Sequence, residues 1–183
     1  MIVNETCIVG VKVIEPQKFA DKRGFFFESY NREKLAKVLG TTFKCIQVNH
    51  SLSSFGVLRG LHFQKKPFAQ AKLVRCVRGA VFDVAVDLRK ESESFGLWFG
   101  VQLTSDLSNQ LFVPKGVAHG FLVITNEAEV EYIVDSPYNK NSEVTLKWDD
   151  EIVGVIWPDV GKKIISDKDL EGLNFKECVK LMD

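Results

Sequence analysis

Arg59-Gly60-Leu61-His62-Phe63-Gln64, followed closely by Lys72, places a base and two cations on what reads as two adjacent β-strands. The chain has 3 histidines in 183 residues, so each is worth locating. Histidine ionises near pH 6.5 (roughly) and suits proton transfer at neutral pH, while a neighbouring arginine and lysine favour an anionic intermediate or a phosphate. That combination points to proton abstraction beside a carbonyl. A histidine in a strand is equally a structural or surface group, and the hexapeptide alone leaves both readings open.

The elements that must position these residues are mostly strands. Strand signals run over 9–14, 25–30, 43–49, 57–63, 72–77, 81–88, 97–103, 111–113, 120–124 and 129–134, rich in β-branched and aromatic residues and separated by turn formers. Phe82, Val84, Val86 and Leu88 alternate with Asp83, Ala85, Asp87 and Arg89, the period of a strand with one buried face. Arg78-Gly79 and Lys115-Gly116 mark tight turns. A helix is expected over 31–38, capped by Asn31, and a second short one near Ser166. So many short strands imply a mainly β sandwich or barrel whose interior can hold a ligand. By parity, Gln47 with Asn49, Lys72 with Val74 and Cys76, His119 with Val117 and Phe121, and Tyr132 with Val130 and Val134 each share a face. Arg59 and His62 have opposite parity. For both to serve one site a bulge must intervene, and Gly60 is the place for it.

Composition narrows the function classes. The length and the 45% hydrophobic content suit one domain spanning 1–183. Lysine plus arginine total 24 against 24 acidic residues, so no net field attracts nucleic acid and the expected partner is a small molecule. Cys7, Cys45, Cys76 and Cys178 form no CxxC pair and sit within or beside apolar runs, as free thiols in a reducing cytosol would. No run approaches the roughly 20 apolar residues that cross a bilayer. Neither membrane insertion nor export is expected, and the location is read as cytoplasmic. His50, His62 and His119 lack the paired spacing of a metal site, so no metal is expected; His50, pointing away from the Gln47/Asn49 face, is given no role.

The chain resembles the dTDP-4-dehydrorhamnose 3,5-epimerase family through DKRGFFFE (21–28), QVNHSLS (47–53), VLRGLHFQ (57–64) and AKLVRCVRG (71–79). VFDVAVDLR (81–89), VPKGVAHGFLV (113–123), WDD (148–150) and ISDKD (165–169) follow in the family's order, covering nearly the whole chain. The resemblance implies a cupin-like jelly roll with a few short helices, a homodimer, no cofactor, and epimerisation of a dTDP-linked 4-keto-6-deoxyhexose. It implies His62 as base, Asp169 as the carboxylate orienting its imidazole, Lys72 as the cation near the C4 oxygen and Tyr132 as proton donor. It further implies substrate contacts from Arg23, Glu28, Gln47, Asn49, Arg59, His119, Glu143 and Lys168, with Tyr138 stacking on thymine. Taken without the motifs, Glu28 and Glu143 read equally as salt-bridge partners and Tyr138 as an exposed turn aromatic.

Ser136-Pro137 before Tyr138, Lys140 and Phe63 depart from the commonest family pattern and bear on the nucleotide contacts and the sugar. The leading expectation is inversion at both C3 and C5 of dTDP-4-dehydro-6-deoxy-glucose. The alternatives are an epimerase of C3 alone or C5 alone in another deoxysugar pathway, and a noncatalytic sugar-nucleotide-binding cupin.

Overall fold

The computed structural model describes residues 1–182. In chain order the described elements are β1 (Ile2–Glu5), β2 (Lys12–Glu15), β3 (Phe19–Asp21), β4 (Gly24–Phe26), α1 (Arg32–Leu39), β5 (Gln47–Ser54), β6 (Leu58–Gln64) and β7 (Lys72–Arg78). They continue with β8 (Ala80–Asp87), β9 (Trp98–Thr104), β10 (Gln110–Val113), β11 (Val117–Val123), β12 (Glu127–Val134), β13 (Glu143–Thr145), α2 (Asp167–Leu170) and α3 (Phe175–Lys180). The strands form a six-stranded sheet, β1-β2-β10-β7-β12-β5, a five-stranded sheet, β13-β6-β11-β8-β9, and the β3–β4 hairpin. Every pairing between these strands is antiparallel. Two antiparallel sheets packed face to face with three short helices make the mainly β, cupin-like jelly roll that the resemblance implies.

The main core lies between the two large sheets. Val74, Cys76, Leu111, Val113 and Val130 from one meet Val81, Ala85, Leu103, Val117, Phe121 and Val123 from the other. The outer faces are covered too. Leu61, Phe63, Val84, Val86 and Leu88 pack under Val153, Phe175, Cys178 and Val179, and Ile14, Leu73 and Phe112 pack under Leu35 and Phe43. This corrects the one-sided reading of β8. Phe82, Val84 and Val86 face the C-terminal segment, whereas Val81 and Ala85 face the opposing sheet, so Asp83 between them is fully buried. The expected free thiols divide: Cys76 and Cys178 are buried, Cys7 and Cys45 exposed.

Local chemistry accounts for the helices and turns. Asn31 caps α1 by accepting from the Lys34 amide, and Gly40 ends it in the left-handed conformation. Ser166 caps α2 through the Asp169 amide, and Asn174 opens α3 with a reciprocal capping box to Glu177. Gly79 and Gly116 turn with φ of +74° and +84°.

The bulge at Gly60 is present. Along β6 and β11 the register steps from His62↔His119 to Arg59↔Phe121, so β6 carries one residue more than its partner. Leu61 packs outward, and Arg59 and His62 both turn inward. Gly60 has φ +120°, and a Cβ there would lie 2.6 Å from the Gly120 Cα and 2.9 Å from the His119 carbonyl oxygen. Gly60→Ala is expected to destabilise the fold by at least about 2 kcal/mol, measured by urea unfolding, because both the backbone conformation and the backbone contact forbid the methyl group. An unchanged midpoint would mean that the bulge tolerates a side chain.

Candidate active site

The inward rows of the two sheets converge on a cavity of about 300 Å³, lined by Ser51, Arg59, His62, Lys72, His119, Gly120, Phe121, Tyr132, Glu143, Ser166, Lys168 and Asp169. A side pocket of about 110 Å³ shares His62, Lys72, Tyr132 and Glu143 and adds Gln47, Asn49, Gln64, Gln70 and Tyr138. Among the residues expected at the site, the structure therefore gathers eleven around one space. His62 comes from β6 in the five-stranded sheet and Tyr132 from β12 in the six-stranded sheet, so they reach the cavity from opposite walls.

His62 Nε2 donates to Asp169 Oδ1 at 2.6 Å, which leaves Nδ1 as the basic nitrogen of the neutral ring. Asp169 Oδ2 accepts the Gly60 amide at 3.2 Å, so the bulge that turns His62 inward also anchors its partner. Burial raises the Asp169 carboxyl, but the His62 hydrogen bond, the His62 charge and the Gly60 amide more than offset it and hold its pKa below the ordinary aspartate value. Burial raises the pKa of Tyr132, which keeps the phenol protonated at neutral pH. Lys72 is 7% exposed and donates to the His62 carbonyl at 3.1 Å.

The polar residues of the side pocket hold one another in place. Glu143 accepts from Lys168 Nζ at 2.6 Å and from the Tyr138 hydroxyl at 2.9 Å. Burial raises the Glu143 carboxyl, but those two contacts bring its pKa below the ordinary value. Gln47 Oε1 accepts the Tyr138 amide at 3.1 Å, Gln47 Nε2 donates to Asn49 Oδ1 at 2.7 Å, and Arg59 Nε donates to Ser53 Oγ at 2.9 Å. His50 points outward, as its parity requires, and pairs with Glu129 at 3.0 Å.

Arg23 and Glu28 do not line the cavity of their own chain. Arg23 is paired with Asp21 at the β3–β4 hairpin, and Glu28 with Asn31 and Lys34 beside α1. Conversely, Ser51 and Gln70 line the space without having been singled out in the sequence, and Phe121 and Ser166 line it having been named only for a strand face and a helix start. Ser51 was findable, since it continues the inward parity of Gln47 and Asn49. No group of three or more His, Cys, Asp or Glu among the described residues is arranged to hold a metal ion.

The family model described as dTDP-4-dehydrorhamnose 3,5-epimerase matches residues 5–177. A curated protein of that name from Shigella flexneri is 47% identical over 178 residues, covering 97% of this chain and 98% of the relative. The crystal structure of dTDP-4-dehydrorhamnose 3,5-epimerase from Elizabethkingia anophelis superposes with a TM-score of 0.93 at 43% identity, covering 97% of each chain. An epimerase from Legionella pneumophila, solved in complex with dTDP-4-keto-L-rhamnose, gives 0.91 at 39% identity, covering 96% of this chain and 93% of its own.

The depressed Asp169 pKa has a consequence for acid stability. A carboxylate whose folded pKa lies below its unfolded value of roughly 3.9 adds stability above that pH and loses it as the pH falls through the folded value. The stability gap between wild type and Asp169→Asn, read from urea midpoints, is therefore expected to be wider at pH 6 than at pH 3. A gap of the same size at both would show that the charge of Asp169 is not held by its contacts.

Proposed function

The chain belongs to the dTDP-4-dehydrorhamnose 3,5-epimerase family, and on that footing we propose that it inverts C3 and C5 of a dTDP-linked 4-keto-6-deoxyhexose. The observation that carries the reading is the placement of His62 and Tyr132 on opposing sheets across one cavity. The C4 ketone acidifies the adjacent C–H bonds. His62, oriented by Asp169, takes a proton from one ring face, and the C–H electron pair moves into the enolate, placing negative charge on the C4 oxygen. Lys72, itself buried, stabilises that charge more strongly than an exposed lysine would. Tyr132 gives its phenolic proton to the carbon from the opposite face, and both groups re-equilibrate with solvent. The steps transfer no hydride, so the reaction needs no nicotinamide.

Gln47, Asn49, Arg59, His119, Glu143 and Lys168 hold the diphosphate and sugar, and the half-exposed Tyr138 offers its ring to thymine. Arg59 suits a diphosphate because its planar fork makes paired charged hydrogen bonds. A protein that only bound the nucleotide sugar would have no use for an acid and a base on opposite walls.

In heavy water, wild type is expected to introduce deuterium at both C3 and C5; at one carbon alone it would be a mono-epimerase. His62→Ala should lower exchange about 10²- to 10⁴-fold while the protein stays folded. Tyr132→Phe keeps the ring but not the proton, so it should exchange deuterium from the His62 side while forming little inverted product. Near-normal inversion by Tyr132→Phe would reject the acid role even with His62 essential.

The assembly we propose is a homodimer. Phe19, Phe25 and Phe26 on the β3–β4 hairpin, Ile46 just before the edge strand β5, and Val48 and Leu52 on its outward face are exposed in the single chain. A second copy covering them would bring the hairpin of one chain toward the cavity of the other, the arrangement in which Arg23 and Glu28 could meet substrate. Sedimentation at micromolar concentration should give twice the 20.7 kDa chain mass, and Phe26→Asp should halve it. A monomeric wild type with full activity would overturn this part of the proposal. No helix of the described residues is long and apolar enough to cross a membrane, and we place the enzyme in the cytoplasm with its nucleotide-sugar substrate.

A further inference from the structure

Asp83 is the most deeply enclosed charge near the cavity and has no part in the reaction described above. It is 0% exposed, on the β8 row whose apolar members, Val81 and Ala85, belong to the core between the sheets. Oδ1 accepts from His119 Nε2 at 2.8 Å, whereas Oδ2 is buried with no hydrogen-bond partner among the described residues. A buried carboxylate with an unmet oxygen is unfavourable unless a cation compensates it. Lys72, inward from β7 and itself buried, is a cation whose charge Asp83 feels through space, the two making no direct ion pair among the described residues.

We propose that Asp83 is a positioning residue of this site, holding Lys72 in its charged form and fixing His119 as the tautomer protonated at Nε2; its catalytic consequence rests on the reaction proposed above. Burial alone drives a lysine toward the neutral amine, which would leave the C4 oxygen without its counter-charge. Burial lowers the Lys72 pKa to about 8, with Asp83 first and Glu143 second among the charges opposing the fall. Glu143 is already paired with Lys168 at 2.6 Å, while Asp83 is bonded to His119 and, among the described residues, to no lysine or arginine, which leaves its charge to act on Lys72.

The other groups that face Lys72 across the cavity do not replace Asp83. Arg59 and His62 from β6, His119 from β11 and Tyr132 from β12 line the same space, and none is an anion at neutral pH. From α2, Lys168 and Asp169 bring opposite charges, and Asp169 is taken up by His62. Burial lowers the His119 pKa, Asp83 opposes that, and Lys72 and His62 add to it, leaving a net fall that favours the neutral ring. With Nε2–H committed to Asp83, Nδ1 of His119 is left as an acceptor for a substrate hydroxyl.

Asp83→Asn keeps the shape and an oxygen for His119 but removes the charge. The titration of Lys72, followed by its side-chain ¹³Cε resonance and assigned by its loss in Lys72→Arg, should move down by about one to three pH units in Asp83→Asn. The rate loss relative to wild type should then be at least about fivefold larger at pH 8 than at pH 6, the ratio a one-unit fall gives for a required ammonium that ionises near 8. An unmoved Lys72 midpoint, with rate and melting temperature lowered equally at every pH, would overturn the proposal and make Asp83 a packing residue. Should Asp83→Asn not fold, the wild-type imidazole ¹⁵N spectrum decides: His119 protonated at Nε2 from pH 6 to 8 supports the assignment, and the opposite tautomer rejects it. A shifted Lys72 midpoint in a protein whose wild type exchanges no deuterium would support the pairing and overturn the reaction alone.

Discussion

The site depends on the contact between the backbones of Gly60 and Gly120. No side chain fits between them: a Cβ on Gly60 would stand 2.6 Å from the Gly120 Cα, and one on Gly120 2.6 Å from the Arg59 carbonyl oxygen. Because β6 carries one residue more than β11 across this contact, Arg59 and His62 face the same space although an unbroken strand would oppose them. The same distortion aims the Gly60 amide at Asp169, which holds the His62 ring. The orientation of the His62 ring and the anchoring of Asp169 thus follow from one local departure from regular pairing.

The rest of the fold holds that departure between two packed layers. Both outer faces of the sandwich are packed, one under the C-terminal helix and the other under α1. Strands enclosed on both sides carry Lys72, Asp83 and His119 inward, buried among Val74, Val81 and Val117. Charges in such surroundings act on one another far more strongly than at a surface. They also need a partner there, which is why His119 is found with Asp83 and His62 with Asp169.

Much of this was legible in the residues, and the parts that were not have physical reasons. Residue type located β6 to β12, although β11 begins at Val117 rather than 120, and parity grouped Lys72, His119 and Tyr132 with apolar neighbours that are all buried, because side-chain direction in a strand follows parity. The opposed parity of Arg59 and His62 demanded a bulge, and glycine allowed only one place for it. β13 escaped notice because Glu143-Val144-Thr145 is three residues long and is a strand only by pairing with β6. The strand expected from Phe43 begins instead at Gln47, since the Phe43 ring is drawn into the cluster around α1. Asp83 was misread for a related reason. Phe82, Val84 and Val86 look like a complete core face, and no local pattern reveals that the C-terminal segment returns to cover them. Asp169 and Lys168 came through motif resemblance, because nothing within their own short helix indicates His62 or Glu143 as partners.

The two-sheet arrangement also constrains how one pair of groups can serve two carbons. Packed sheets lie about 10 Å apart, enough for a sugar ring between a histidine on one and a tyrosine on the other, whereas an acid and base on the same sheet would act on the same ring face. C3 and C5 flank the C4 ketone, and only one His62 and one Tyr132 reach the cavity of a chain. Double inversion then requires the ring to present each carbon in turn while the C4 oxygen keeps its place near Lys72. The interlocked contacts among Gln47, Asn49, Tyr138 and Glu143 lie in the side pocket, where they would restrain the nucleotide more than the sugar. If His62 and Tyr132 act as proposed, how freely the ring turns between them, rather than the identity of the two groups, would separate inversion at both carbons from inversion at one.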